Sequence, residues 1–378
     1  MSGETSPALT VVIPTWNGWD LLHDCLESLR RQTFQASVYD QGHATPSFPR
    51  TWESRTRQEL PKTTLDPRVR EDDDPLSRSG VEPFPFQGME IIVVDDGSTD
   101  ETPAHLKTEF PEVQCLVSPV NLGFAATANR GLAAARAPWV FLLNNDVTLA
   151  EDCIEKLMAC AREGTYSMIS PMVLWAEDPQ LIYSAGDGIG VNGRPVSLGY
   201  KEPHANYVPE SEPFGVSGGY GLFRKTMLDE IGLLDEAFVA YFEDSDLCFR
   251  ARWAGHAATL VPDARARHIG SASIQGRTWW RTRQCFQNHA LLVLKNYSLP
   301  LLWKNLGPIM RERCHQWSRV FRVARSEWGT ARAVGFTLAA WWGLMRRVPS
   351  ALHTRQGILR KRRIDNNTMQ VLLEKEPP

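Results

Sequence analysis

Three carboxylates fall within four residues at Glu243-Asp244-Ser245-Asp246, just ahead of Leu247, Ala251 and Ala254, which share one helical face. Well upstream, the apolar run Phe141-Leu142-Leu143 stops abruptly at Asn144-Asn145-Asp146. The first cluster suits proton removal, because a helix N-terminus favours an ionised carboxylate. The second offers oxygen to a hard divalent cation, which can neutralise a departing phosphate group. His268, in Arg265-Ala266-Arg267-His268, can add a nitrogen ligand. Each piece alone has a plainer reading: acidic residues gather at helix starts, and a lone histidine is usually structural.

Other polar clusters end apolar runs in the same way. Pro14-Thr15-Trp16-Asn17-Gly18 follows one run, and its turn can present N–H groups and a hydroxyl to a nucleotide. Asp95-Asp96-Gly97-Ser98 follows another; buried carboxylates there need a partner, and an aspartate can accept from a pyrimidine N–H or a ribose hydroxyl. The same residues also make a good turn and helix cap. Asn129 and Arg130 open a small-residue helix that can face a diphosphate. Gly218 and Gly219 lie in a glycine-rich stretch without phosphate-loop spacing, which suits close approach to an acceptor.

The elements that would carry these groups alternate. Strands are expected at Ala8–Ile13, Met89–Val94, Val113–Val117 and Trp139–Leu143. Helices are expected at 20–33, 102–110, 127–135 and 151–162. Such alternation predicts an α/β layer with a mostly parallel sheet, whose ligands sit at the strand C-terminal ends. Residues 36–88 interrupt it. They hold seven prolines and sixteen charged residues with no apolar period, which reads as a disordered insertion.

Composition adds location. The net charge is −3, yet residues 277–363 carry 18 Lys and Arg against two Glu. Seven of the thirteen tryptophans lie from Trp279 onward. Ala333–Met345 is apolar between arginines and too short to span a bilayer, which predicts an interfacial helix. The seven scattered cysteines fit a reducing compartment, and the N-terminus has no signal-peptide pattern. A basic tail can also mean nucleic acid, but no recognition module accompanies it and the tryptophans favour lipid.

Taken in order, VVIPTWNG, IIVVDDGSTD, NLGFAATANRGL, FLLNNDV and YFEDSDLCFRARWAG resemble the family-2 inverting glycosyltransferases, in their bacterial rhamnosyltransferase-like branch. The resemblance covers about 8–35 and 89–275. It implies the GT-A fold over 8–275, followed by a basic, helical, membrane-associating extension over 276–378. It implies that Pro14, Thr15, Asn17 and Asp96 line a nucleotide pocket, joined by Asp95, Asn129, Arg130 and Asn145. Asp146 and His268 would hold Mg²⁺ or Mn²⁺, Asp244 would be the catalytic base, and Gly218, Gly219 and Glu243 would meet the acceptor. The partners it implies are a nucleoside diphosphate sugar and a glycan or lipid-linked acceptor in cell-surface polysaccharide synthesis, at the cytoplasmic face of a bacterial inner membrane. Two departures stand out: the usual D-x-D reads Asn144-Asn145-Asp146, and the 36–88 insertion splits the domain. A non-catalytic nucleotide-sugar-binding protein at a membrane is the alternative.

Overall fold

A computed structural model describes residues 7–34, 88–270 and 278–373. The expected 36–88 insertion lies outside the described residues, apart from Gly88. The first half forms as the sequence predicts: β1 (Leu9–Thr15), α1 (Trp19–Arg30), β2 (Met89–Asp95), α2 (Thr102–Glu109), β3 (Gln114–Val117), α3 (Phe124–Ala134) and β4 (Trp139–Leu143). Every residue of β1 and β4 is buried, which is why both read as continuous apolar runs. Neighbouring strands in the order β3-β2-β1-β4 are parallel.

The second half holds β5 (Val147–Leu149), α4 (Cys153–Arg162), β6 (Met168–Trp175), β7 (Ile182–Ser184), β8 (Asp187–Ile189), β9 (Pro195–Ser197), β10 (Tyr220–Arg224), α5 (Lys225–Ile231), α6 (Glu243–Trp253) and β11 (Ala258–His268). Here the mostly parallel expectation fails. The chain re-enters the sheet beside the end of β4, where Asn144 N donates to Gly219 O at 2.8 Å. β10 therefore runs back, antiparallel to both β4 and β6. β6 and β11 are parallel, and β5 closes the edge antiparallel to β11.

Strand alternation splits the core between the two faces of the sheet. Val11 and Ile13 pack with α1 and α4, while Val12 and Val94 pack with α3 and α6. α3 comes unusually close, since a Cβ at Gly131 would collide with Val12 and lie 3.0 Å from Val94.

The remainder is helical: α7 (Thr278–Asn296), α8 (Leu299–Lys304), α9 (Leu306–Trp328), α10 (Thr330–Arg360) and α11 (Asn366–Leu372). Its apolar residues, among them Leu291, Tyr297, Leu344 and Met369, join the same core cluster as Val12 and Phe249. The boundary expected at 275 thus falls inside one continuous core. No helix among the described residues is long and apolar enough to cross a membrane.

Candidate active site

The polar ends of β1, β2, β4 and β11 are linked to one another, and the N-terminus of α6 meets the segment that leads into β10. Cross-links between loops set their geometry. Asn17, at φ 46°, accepts from Thr99 N at 2.8 Å while its own N–H donates to Ser98 Oγ at 2.8 Å. Gly18 N donates to Asp100 at 2.9 Å, completing a clasp between the first two loops. Asn145 Nδ2 donates to Thr15 Oγ1 at 3.0 Å, which ties the third loop to the first. Pro14 lies within β1 in register with Val94.

Asp95 and Asp96 divide their work. Asp96 accepts from Leu122 N at 2.7 Å and Gly123 N at 3.0 Å, so it braces the loop entering α3. Asp95 accepts from Ser98 N at 3.1 Å, and its Oδ1 is buried without a partner. Asn129 and Arg130 are not brought to the other candidates. The Asn129 amide is taken up by Leu234 and Glu236. Arg130 reaches Ser118 and Val117 O at the end of β3. Both side chains brace α3 against neighbouring elements through these bonds.

Asp146 and His268 do come together, with Oδ1 and Nε2 3.1 Å apart and both side chains nearly buried. That spacing fits two adjacent ligands about 2.1 Å from one octahedral cation. No group of three or more His, Cys, Asp or Glu able to hold a metal occurs among the described residues. This pair therefore suits an ion whose remaining ligands are phosphate oxygens or water. Tyr183 crosses His268 edge-on at 4.3 Å between ring centroids, and Trp175 and Tyr200 pack around it. Burial and the Asp146 charge push the Tyr183 phenol up to about 12.

The three acids of α6 have three different fates. Asp244 is half-buried; its Oδ2 accepts from Gly218 N at 3.1 Å and its Oδ1 from Ser245 N at 2.6 Å. Glu243 is buried, with Oε2 unpartnered. Burial, reinforced by the Asp244 charge, holds its carboxyl well above the usual carboxylate range. Burial would raise Asp246 too, but the charges of Lys295 and Arg250 outweigh it and hold that carboxyl low. Lys295 lies 2.8 Å and Arg250 2.9 Å from the Asp246 carboxylate, and Asn296 donates to it at 2.8 Å. Gly218 and Gly219 permit close approach, but of Asp244 and Asn144, which a Cβ at either glycine would crowd.

Sequence reasoning missed Asp187, at the start of β8. Burial and then the Asp244 charge raise its carboxyl well above the usual range, against a weaker pull from Ser184. Its only signal in the sequence was the Gly186-Asp187-Gly188 context.

A partly open carboxylate at a helix start and an acid–imidazole pair at strand ends are groups that suit transfer chemistry on a phosphate-linked substrate. Residues 78–232 match the family described as glycosyl transferase family 2. The chain carries a family-2 glycosyltransferase domain. The family match begins beyond β1 and α1, yet β1 is an interior strand of the sheet, paired with β2 and β4. The chain is 28% identical over 208 residues to the N-acetylglucosaminyl-diphospho-decaprenol L-rhamnosyltransferase of Mycobacterium tuberculosis, covering 48% of this chain and 66% of that protein. It is 26% identical over 175 residues to a low-salt glycan biosynthesis hexosyltransferase of Haloferax volcanii, covering 43% and 53% respectively. The crystal structure of GalNAc-T7 with UDP, GalNAc and Mn²⁺ superposes with a TM-score of 0.50 at 15% identity, over 77% of this chain and 48% of that one. That likeness shows the GT-A fold.

Proposed function

We propose that this glycosyltransferase moves a sugar, with inversion, from a nucleoside diphosphate sugar to a lipid-linked glycan acceptor in cell-surface polysaccharide synthesis. The observation that carries the reading is Asp244. It is the one acid of its cluster that is both partly open and free of a cationic partner among the described residues. Its carboxylate takes the acceptor hydroxyl proton, the oxygen bonds to the anomeric carbon, and the bond to the diphosphate breaks. Asp146 and His268 would hold a Mg²⁺ or Mn²⁺ ion that, when bound, neutralises charge on the leaving diphosphate. The Thr15–Asn145 and Asn17–Ser98 links hold the walls on the nucleotide side. Glu243, whose carboxyl is held above the usual range by burial and by the Asp244 charge, adjoins that base on the acceptor side.

The acceptor class rests on the mycobacterial relative and on the helical segment. Trp303 is 75% exposed and Trp342 56% exposed on α8 and α10. On α10, Ala333, Thr337, Ala340 and Leu344 face the core, while Val334, Leu338, Trp341 and Trp342 are exposed among arginines. Exposed tryptophan with arginine suits the headgroup region of an anionic cytoplasmic leaflet.

The test is thermal shift with UDP-, dTDP- and GDP-sugars, with and without Mn²⁺, followed by transfer to a polyprenyl-diphosphate glycan in anionic vesicles. A metal-dependent shift with one donor and product formation supports the reading. Folded protein that binds no donor would sink it.

A further inference from the structure

The turn that delivers Asp244 is strained. Val239, Tyr241 and Phe242 have φ of 63°, 67° and 72°, and none is glycine. Ala240 N donates to Phe238 O at 2.7 Å, closing a γ-turn of the rare, strained kind around Val239. Bulky residues with positive φ cost roughly 1–2 kcal/mol each, so such a turn persists only where its surroundings hold it. Phe242 is the N-cap of α6, and Asp244 lies two residues on. Any relaxation of the turn would therefore swing the carboxylate.

One side chain meets the turn's exposed carbonyls. Asn288, fully buried on α7, donates from Nδ2 to Phe238 O at 2.8 Å, Ala240 O at 2.9 Å and Tyr241 O at 2.8 Å. Its Oδ1 accepts from Arg347 of α10 at 3.3 Å, which fixes which end of the amide faces the turn. A tether on the other side is independent of it: Val239 O accepts from Ala125 N of α3 at 3.0 Å. The amide lies beyond the family-matched segment, on a helix that could otherwise be taken for an accessory.

We infer that Asn288 is a positioning residue: it fastens the left-handed turn at 239–242 and thereby aims Asp244 at the acceptor hydroxyl. The inference rests on the proposed function for its catalytic half, while the fastening itself does not. Asn288→Asp is the informative variant. It keeps the size and offers Arg347 a carboxylate, but turns an acceptor toward three carbonyls. Asn288→Ala is its companion, should the charge disturb folding.

Two measurements on the full chain separate the parts. Hydrogen exchange of amides 239–246 should rise in the variant while that of β1, β2 and β4 stays unchanged. Equal exchange at 239–246 overturns the fastening whether or not transfer is seen. In transfer assays kcat should fall by about 10–100-fold, the loss that a displacement near 1 Å brings. Donor KM and nucleoside diphosphate affinity should stay within about twofold, since no donor-side group moves. A folded variant with unchanged kcat overturns the inference. So does a kcat loss matched by lost nucleotide affinity and a general rise in exchange, which would mark Asn288 as plain scaffolding. A wild-type protein that transfers to no acceptor would instead count against the proposed function, and exchange would still decide the fastening.

Discussion

Asp246→Asn offers a quantitative test of how α6 is anchored. The Asp246 carboxylate is wholly buried against Lys295 and Arg250, themselves almost inaccessible. Removing one member of such a buried set costs about 3–5 kcal/mol, because the partners stay buried with their charge. Here the survivors keep support. Lys295 retains Asp235 at 2.5 Å, and Arg250 retains the carbonyls of Ile231, Gly232 and Leu233. The loss should therefore sit near the lower end, about 3 kcal/mol, or a fall in Tm of about 4–5 °C for a chain of this size. The pH dependence has a definite sign. The carboxyl is held below its usual value, so its contribution is complete above the unfolded pKa and lost as pH falls through the folded one. The gap between wild type and variant should be full at neutral pH and shrink below about pH 4. Calorimetric melts across pH read both. A fall of less than about 1 °C would refute the anchoring role. An unchanged melt with lost transfer would reassign Asp246 to the chemistry.

Asp244→Asn should lower transfer kcat by about 10²–10⁴-fold while leaving nucleoside diphosphate binding intact by calorimetry; appreciable turnover would remove Asp244 as the base. Asp146→Ala combined with His268→Ala should abolish the Mn²⁺-dependent part of any donor-induced thermal shift and keep the metal-free melt. Burial and the Asp244 charge raise the Glu243 carboxyl above its unfolded value, so stability falls as pH rises through that unfolded value; Glu243→Gln should melt above wild type near pH 7–8 and converge with it near pH 4. Gly131→Val should destabilise by about 1–3 kcal/mol in denaturant melts, because the added atoms meet Val12 and Val94.

What the sequence made legible follows from how local each signal is. β1, β2 and β4 are buried on both faces, so their apolar runs speak for themselves, and the polar break after each marks the strand end where the site lies. Asp244 stands out because it opens a helix. Long-range partners were not legible. Nothing near Asp246 separates it from Asp244, since Lys295 and Asn296 lie some fifty residues on. Asn129 carries a ligand-type amide, and the Leu234 backbone that it bonds lies about a hundred residues on. The reversal at β10 depends on where the chain re-enters the sheet, which no periodicity encodes. Asn288 carries no motif at all; its meaning lies in three carbonyls on another element.

The central position of β1 has a consequence for how the chain reaches its native state. Leu9 pairs with Met89 on one side and Trp139 on the other, so β1 is flanked by strands made much later. Closing so long a loop adds little to the equilibrium balance, about 0.6 kcal/mol for each doubling of its length. Kinetically the same separation is costly, because distant pairings slow folding and leave apolar strands uncovered meanwhile. During synthesis LTVVIPT waits, with its hydrophobic faces open, until residues past 139 have left the ribosome. The distance between α1 and β2 should thus be felt in yield and aggregation during expression, and hardly at all in the melting temperature of protein that has already folded.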